Sequence, residues 1–204
     1  MFVRKQEKDK KRNDIAPMLI CYGFCSSFCT VERSLGALKE LIGEGHRILP
    51  VCSYHFEKTD TRFGRAEEIL ARIEELCGTP VIRTLQDAEP VGPVHRPDLM
   101  IIAPCTGNTT AKLCHGISDT PVTLAAKAHR RSGKPLLLAF ASNDGLSGNF
   151  ENIARLYGQK NLYFVPLCQD DPINKPYSLV CDFARIPEAA KAAVEGRQLL
   201  PLFS

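Results

Sequence analysis

The sequence predicts one α/β domain with a three-layer, mostly parallel, doubly wound sheet of the flavodoxin-like or Rossmann-like kind. Short apolar runs alternate with amphipathic helical patterns, which is typical of parallel strands covered by helices on both faces. The chain has 204 residues, a length that a single domain commonly reaches. The sequence contains no internal repeat and no clear linker, so we expect one domain rather than two.

The predicted strands are short apolar runs bounded by glycine, proline or polar residues. In chain order they are 18–23, 46–52, a short one at 81–83, 98–103, 135–140 and, as the last strand, 162–165. The run 98–103 (DLMIIA) is almost entirely apolar and therefore predicts a strand that is buried on both faces.

The predicted helices carry apolar residues at every third or fourth position. In chain order they are 31–42, 66–76, 108–115, 122–131, 150–157 and 188–194. Gly43 and Gly45 close the first helix and Gly78 closes the second, because glycine readily adopts the left-handed conformation that ends a helix. The segment from 84 to 97 is rich in proline and predicts a loop.

The basic excess of the chain lies at its N-terminus. The formal net charge is +3, from 26 basic and 23 acidic residues, and from Ile15 onward the two signs balance. Residues 1–14 therefore predict a disordered basic tail, and 15–204 predict the folded domain. A neutral body argues against nucleic-acid binding, which requires a basic face.

Nothing in the sequence predicts export, a membrane span or a metal site. No apolar run approaches the roughly 20 residues of a membrane-spanning helix, and the charged N-terminus lacks the apolar core of a secretory signal. The nine cysteines therefore predict free thiols in a reducing cytoplasm. They have no zinc-type spacing, and Cys21, Cys25 and Cys29 do not match an iron–sulfur pattern.

Polar residues cluster where the predicted strands end, and in parallel α/β sheets ligands bind at the carboxyl ends of the strands. The segment 23–30 (GFCSSFCT) places glycine and hydroxyl residues ahead of a helix. This pattern suits either a phosphate site or an ordinary helix cap. After the second strand, Ser53 and His55 belong either to a site or to the surface.

Two later strand ends repeat the pattern. In the segment 104–110 (PCTGNTT), Asn108 or Thr109 is either the N-cap of a helix or part of a binding loop. The segment 141–145 (ASNDG) is a polar turn. Because four such strand ends converge on one edge of the sheet, the sequence predicts a ligand site there. It is not a dinucleotide site of the usual kind, since the pattern GxGxxG is absent.

The run 103–119 (APCTGNTTAKLCHGISD) resembles the signature of the flavoproteins called homo-oligomeric flavin-containing cysteine decarboxylases. Their pattern has small residues before Asn-Thr, then Ala-Lys-Leu, then Gly-Ile-x-Asp, and the resemblance extends over about residues 18–168. It implies a flavoprotein fold, FMN as cofactor and a homo-oligomer. The FMN contacts that it implies are Gly23, Ser26, Ser27, Ser53, Pro104, Thr106, Asn108, Thr109 and Asn143.

Three features resemble one branch of this family, a component of a two-subunit synthase of spore-forming bacteria. They are the runs 169–183 and 89–93 and the pair Asn143-Asp144. The resemblance implies a cytoplasmic protein of the mother cell that works with an A subunit, which would supply the NAD(P) site. Together the two proteins would oxidise a small cyclic dicarboxylate to an aromatic one.

Three further side chains are candidates for handling such a substrate. His55 is the candidate proton acceptor, because an imidazole titrates near neutral pH. Arg62 and Lys175 are the candidate partners of the substrate carboxylates.

The chain departs from the decarboxylases at two places. The catalytic histidine that they carry ahead of the strand ending in Ala-Pro is missing from 89–96, since His95 lies too close to Asp98. The loop that holds their substrate carboxylate is also replaced. Two alternatives stay open: a stand-alone FMN-dependent decarboxylase or flavin prenyltransferase-like enzyme, and a non-catalytic structural partner of the A subunit.

Overall fold

The computed structural model describes residues 16–203, so the predicted tail at 1–14 lies outside the described residues. Seven strands in this part of the chain form one sheet. Their bounds are β1 Leu19–Phe24, β2 Arg47–Cys52, β3 Leu99–Cys105, β4 Leu136–Ser142, β5 Leu162–Phe164, β6 Leu167–Cys168 and β7 Leu179–Cys181.

Five of these strands are parallel and lie in the order β2-β1-β3-β4-β5, which is the order of flavodoxin-like folds. The first half of β4 pairs with β5, whereas Ala141 and Ser142 at its end pair antiparallel with β7. β6 in turn pairs antiparallel with β7. Because β7 joins the end of β4, the 169–178 loop between β6 and β7 reaches the carboxyl edge of the sheet.

Eight α-helices occur in the described part of the chain. Their bounds are α1 Val31–Gly43, α2 Tyr54–Lys58, α3 Ala66–Cys77, α4 Leu85–Ala88, α5 Gly107–Cys114, α6 Pro121–Arg130, α7 Phe150–Tyr157 and α8 Ile186–Val194. None of these helices is long and apolar enough to cross a membrane.

Adjacent residues of β1 show that helices cover both faces of the sheet. The Tyr22 hydroxyl lies 3.0 Å from Ser34 Oγ in α1, whereas a Cβ added at Gly23 would lie 3.1 Å from Val122 in α6. Since neighbouring strand residues point to opposite faces, α1 and α6 lie on opposite sides of the sheet. The predicted three-layer, mostly parallel fold is confirmed, and β3 is buried along its whole length as expected.

The structure corrects the predicted elements at four places. The predicted strand at 81–83 is only a single bridge between Ile82 and Val51. The predicted loop at 84–97 contains α4, where Thr84 caps the helix by accepting a hydrogen bond from the backbone N–H of Asp87. The helix α2 was not predicted, because its five residues are too few to show a helical period. Finally, β5 is not the last strand, since β6 and β7 follow it.

Candidate functional site

The carboxyl ends of β1, β3 and β4 open into a cleft of about 410 Å³, which we call the strand-edge cleft. Three of the four predicted polar strand ends meet here, and the end of β2 does not line it. The lining residues are Ser26, Ser27, Phe28, Cys29, Thr30, Arg33, Arg62, Phe63, Thr106, Ala141, Ser142, Asn143, Asp170, Lys175 and Val180.

The loop between β1 and α1 brings hydroxyl groups to the cleft. Thr30 Oγ1 lies 2.8 Å from the carbonyl oxygen of Ser27 and 3.0 Å from its Oγ. The backbone N–H of Ser27 donates to the carbonyl of Cys25 at 2.9 Å. These bonds hold the loop compact just before α1 and leave the half-buried Ser26 and Ser27 on the cleft wall. Hydroxyl groups in this position can donate to phosphate or carboxylate oxygens.

The loop between β3 and α5 is tied to the first loop. Thr106 Oγ1 accepts from the backbone N–H of Thr109 at 3.3 Å, and Thr109 Oγ1 donates to the sulfur of Cys25 at 3.2 Å. The N-cap of α5 is therefore Thr106, whereas Asn108 is exposed in the first turn. Burial raises the pKa of the Cys25 thiol to about 11, so this sulfur remains neutral at physiological pH.

The end of β4 packs a polar cluster against the first residue of α5. Asp144 accepts hydrogen bonds from Ser142 Oγ at 2.5 Å and from Asn149 Nδ2 at 2.8 Å. A Cβ at Gly107 would lie 2.4 Å from that Asn149 nitrogen and 2.8 Å from Asp144 Oδ1. Glycine at this position therefore allows the carboxylate to lie beside the N-terminus of α5, where the helix dipole favours negative charge. Asn143 is exposed and lines the cleft.

Three cations and one carboxylate line the strand-edge cleft. The guanidinium carbons of Arg33 and Arg62 lie 5.3 and 4.8 Å from the centroids of aromatic rings. Among residues 16–203, neither arginine has a carboxylate oxygen within 4.0 Å. Lys175 Nζ lies 3.1 Å from Asp170 Oδ2. The cleft therefore carries excess positive charge, which suits an anionic ligand.

The pairing of Asp170 explains its charge state. Burial alone would raise the pKa of this carboxyl, but the nearby Ser178 side chain and the hydrogen bond from Lys175 hold it below its ordinary value. Asp170 is consequently charged at neutral pH, and it restrains the Lys175 ammonium at the mouth of the cleft. Both Lys175 and Arg62, predicted as carboxylate partners, line the cleft.

Several predicted site residues lie beside the cleft or away from it. Gly23 lies where α6 packs against β1, and the carbonyl of Pro104 accepts from the N–H of Cys25 at 3.3 Å. Ser53 is buried at the start of α2, and His55 is exposed on that helix without lining the cleft. The ligand contacts predicted for these residues, and the proton-accepting role of His55, stay predictions.

The sequence did not identify four side chains of the strand-edge cleft that are able to bind a ligand or to react. Arg33 lies on the exposed side of a helix whose pattern indicated only packing, and Phe63 lies in an unassigned loop. Cys29 was predicted only to be a free thiol, and the structure shows that it is exposed in the cleft lining. Asp170 reaches the cleft through the antiparallel extension. The only signal for Arg33 was its position one turn after the hydroxyl-rich loop. Within residues 16–203, no three His, Cys, Asp or Glu side chains are grouped to hold a metal ion.

Comparison with known proteins places this architecture among flavoproteins. The model of the family described as Flavoprotein matches residues 54–195. The sequence is 39% identical over 183 residues to the B subunit of dipicolinate synthase from Bacillus subtilis strain 168, and the match covers 90% of this chain and 92% of that protein. The structure is similar to the crystal structure of the B subunit of dipicolinate synthase from Bacillus halodurans, with a TM-score of 0.84 and 37% identity over 92% of this chain and 96% of that one.

The fold is also similar to that of a decarboxylase. The crystal structure of the FMN-dependent cysteine decarboxylase SpaF has a TM-score of 0.63 and 20% identity, over 87% of this chain and 95% of that one. At this level of identity the likeness concerns the fold alone.

Proposed function

Because this chain belongs to the Flavoprotein family and, within it, is a homologue of a dipicolinate synthase component, we propose that it works as the B subunit of a dipicolinate synthase. The observation that carries the proposal is the 39% identity over nine-tenths of the chain to the Bacillus subtilis protein. The name of that relative implies an A subunit, which we propose is also the partner of this chain. The same proposal gives the chain a role in the cytoplasm of the mother cell during sporulation.

The proposed reaction converts a dihydrodipicolinate-level intermediate to dipicolinate, pyridine-2,6-dicarboxylate. The ring loses one hydride and one proton and becomes aromatic. The hydride goes to NAD(P)⁺, which we assign to the A subunit, since this chain lacks GxGxxG. The proton goes to a base or to water. This chain would contribute its strand-edge cleft, which offers hydroxyl donors and cations to a substrate with two carboxylates.

Arg33 and Arg62 support binding of such a dianion. Both line the cleft, and neither has a carboxylate within ion-pair distance among residues 16–203. An arginine fork donates two parallel hydrogen bonds to a carboxylate, which a lysine cannot do. Lys175 is already paired with Asp170, so we assign the first contacts with the carboxylates to the arginines.

The residues of the strand-edge cleft also fit FMN, the second ligand that we propose. Ser26 and Ser27 would hold its phosphate, and Phe28 and Phe63 would supply apolar surface for its ring. When bound, a flavin supplies one- or two-electron transfer. We expect the purified chain to carry flavin absorbance and the mass of FMN, and we expect both to be lost in the double variant Ser26→Ala, Ser27→Ala. A colourless, FMN-free protein that does not bind added FMN would contradict this assignment.

Substitutions in and beside the strand-edge cleft distinguish a catalytic subunit from a non-catalytic structural partner. We expect Ser26→Ala and Asn108→Ala to lower dipicolinate formation at least about tenfold while the complex with the A subunit stays intact by gel filtration. Thr79→Ala is the matched control, because this residue does not line the cleft. Full activity of both variants in an intact complex would favour a structural role.

The proton-accepting role of His55 is tested in the same assay. If the imidazole accepts the proton, His55→Gln should lower the rate and remove the acidic limb of its pH profile, because a base acts only when it is deprotonated. An unchanged rate and profile would assign this step to the A subunit or to water, in keeping with the position of His55 outside the cleft lining.

A further inference from the structure

A second cleft lies on the other side of the molecule, along α6 and at the amino ends of β4 and β5. It encloses about 460 Å³, and we call it the α6 cleft. Five basic residues line it and no acidic residue does: Lys127, Arg130, Arg131, Lys134 and Lys160. In a body whose basic and acidic residues balance, this is a marked local concentration of positive charge.

Most of this charge is not neutralised. Lys134 Nζ lies 3.0 Å from Asp98 Oδ1. The other four cations have no carboxylate oxygen within 4.0 Å among the residues that the structure describes. Such a group repels itself, and a bound anion would relieve that repulsion.

Of the five basic residues, Arg130 gives the strongest indication that the α6 cleft binds an anion. It is half-buried, and its Nη2 donates to the neutral Oε1 of Gln159 at 2.8 Å. Burial lowers the pKa of this guanidinium, which reflects the loss of its hydration. A partly desolvated charge with only a neutral acceptor is costly unless an anion joins it. The Gln159 bond also holds the side chain in one orientation towards the cleft that it lines.

The rest of the cleft is shaped for a ligand with an apolar body. Leu113 and the half-exposed Ile117 line it beside Thr123 and Ser118. Small-molecule sites commonly enclose about 300–1,000 Å³, with apolar walls and a few placed polar groups. This combination of volume, apolar surface and fixed charge differs from a flat basic patch for a polyanion.

We infer that the α6 cleft binds a small organic dianion with an apolar body, whose negative groups are held by Arg130 and Lys127. Carboxylate and phosphate groups share this chemistry. The site is separate from the strand-edge cleft, and the inference does not depend on the proposed synthase activity.

Calorimetric titration of the purified chain tests the inference with three probes. Pyridine-2,6-dicarboxylate and phenyl phosphate each join an aromatic ring to negative charge, whereas phenol has the ring without the charge. We expect saturable binding of at least one anionic probe, weaker binding at higher salt because charge is screened, and no binding of phenol. The anion that binds identifies the source of the charge as carboxylate or phosphate.

Substitutions then locate the binding. Lys127→Met and Arg130→Gln should each raise the Kd at least about tenfold, with helical circular dichroism unchanged. Lys39→Met, an exposed lysine on α1 that lines neither cleft, should leave it unchanged. Lys127 is exposed, so its substitution tests the site even if Arg130→Gln lowers the stability of the fold.

Two results would overturn the inference. One is the absence of saturable binding of either anion. The other is binding that Arg33→Met weakens and Lys127→Met does not, which would move the ligand to the strand-edge cleft.

Discussion

The strand-edge cleft and the α6 cleft are both positively charged, but they are built differently. The strand-edge cleft combines hydroxyl groups from three loops with arginines and with the paired Lys175 and Asp170. The α6 cleft has cations over apolar side chains and no acidic residue in its lining. The first arrangement places many directional donors, as a site for an oriented reaction requires. The second offers charge and apolar surface, which are enough for binding.

The largest expected effect is a loss of synthase activity when Arg33 is replaced, whereas replacement of another cation of α1 should have little effect. Arg33→Met should lower kcat/KM for dipicolinate formation by about 100-fold, because it removes a charge-assisted contact worth about 2–3 kcal/mol. Lys39→Met, on the same helix but away from both clefts, should change it by less than about twofold. The measurement is the initial rate in the presence of the A subunit. Equal rates for the two variants would remove Arg33 from the site.

The glycines at the two ends of α5 give the next comparison. Gly107→Ala should destabilise the fold by about 1–3 kcal/mol in urea unfolding, because the new Cβ would overlap Asn149 and Asp144. It should also impair the synthase, since those side chains shape the cleft edge. Gly116 has φ +71° and no atom near its Cβ position. Gly116→Ala should therefore cost only about 1 kcal/mol of backbone strain and leave the synthase active.

Gly36→Ala is the control for this pair. Gly36 lies inside α1 with nothing within 4 Å of its Cβ position. Alanine there should raise the stability by about 0.5–1 kcal/mol through helix propensity. A Gly107→Ala protein as stable as the Gly36→Ala protein would contradict the packing described for the start of α5.

The pH dependence of stability near neutral pH should come from two buried histidines outside the strand-edge cleft, His129 in α6 and His46 before β2. Burial lowers the pKa of His129, at the end of α6, although its bond to the Pro135 carbonyl opposes this. The unfolded chain then binds the proton more readily than the fold, so stability is full above the ordinary imidazole pKa of about 6.5 and declines as the pH falls below it. The slope is at most about 1.4 kcal/mol per pH unit for one group. His46, also buried with a lowered pKa, adds to the decline.

Urea unfolding at about pH 7.5, 6.5 and 5.5 measures this dependence. His129→Gln should flatten the decline but not remove it, because His46 remains. An identical decline in wild type and variant would mean that His129 does not titrate in this range. The lining of the strand-edge cleft contains no histidine, so substitutions there should leave the slope unchanged.

The smallest effect concerns thiol reactivity. Cys29 is exposed in the strand-edge cleft, and Cys114 is half-buried at the end of α5. FMN added to the chain after its bound flavin has been removed should slow iodoacetamide labelling of Cys29 at least about twofold by blocking access and leave Cys114 unchanged. Peptide mass spectrometry follows both sites in one sample. Burial raises the pKa of Cys21 to about 12, so its peptide should stay unlabelled and serve as an internal control.

The sequence predicts the central sheet better than the clefts, for a physical reason. Apolar runs such as 98–103 reveal a buried strand, because a strand covered on both faces has apolar residues at successive positions. The hydroxyl-rich loops were predicted to lie together because parallel strands bring their carboxyl ends to one edge of the sheet. Ser26, Ser27, Thr106 and Asn143 were identified in this way and line one cleft.

The residues that escaped prediction come together through tertiary structure alone. Asp170 reaches the strand-edge cleft only because β7 pairs with the end of β4, and a three-residue strand has little sequence signal. The α6 cleft draws its cations from α6 and from the segments before β4 and β5, each of which looks like an ordinary exposed surface. Charge balance over the whole body concealed this local excess.

The central claim, that this chain is a working component of dipicolinate synthase, is tested most directly by one rate measurement. Dipicolinate formation is followed with NAD(P)⁺ and the A subunit, in the absence and in the presence of an equimolar amount of this chain. We predict a rate at least about tenfold higher with the chain, and a return towards the rate without it when the chain carries Arg33→Met. Equal rates with and without the chain would contradict the claim.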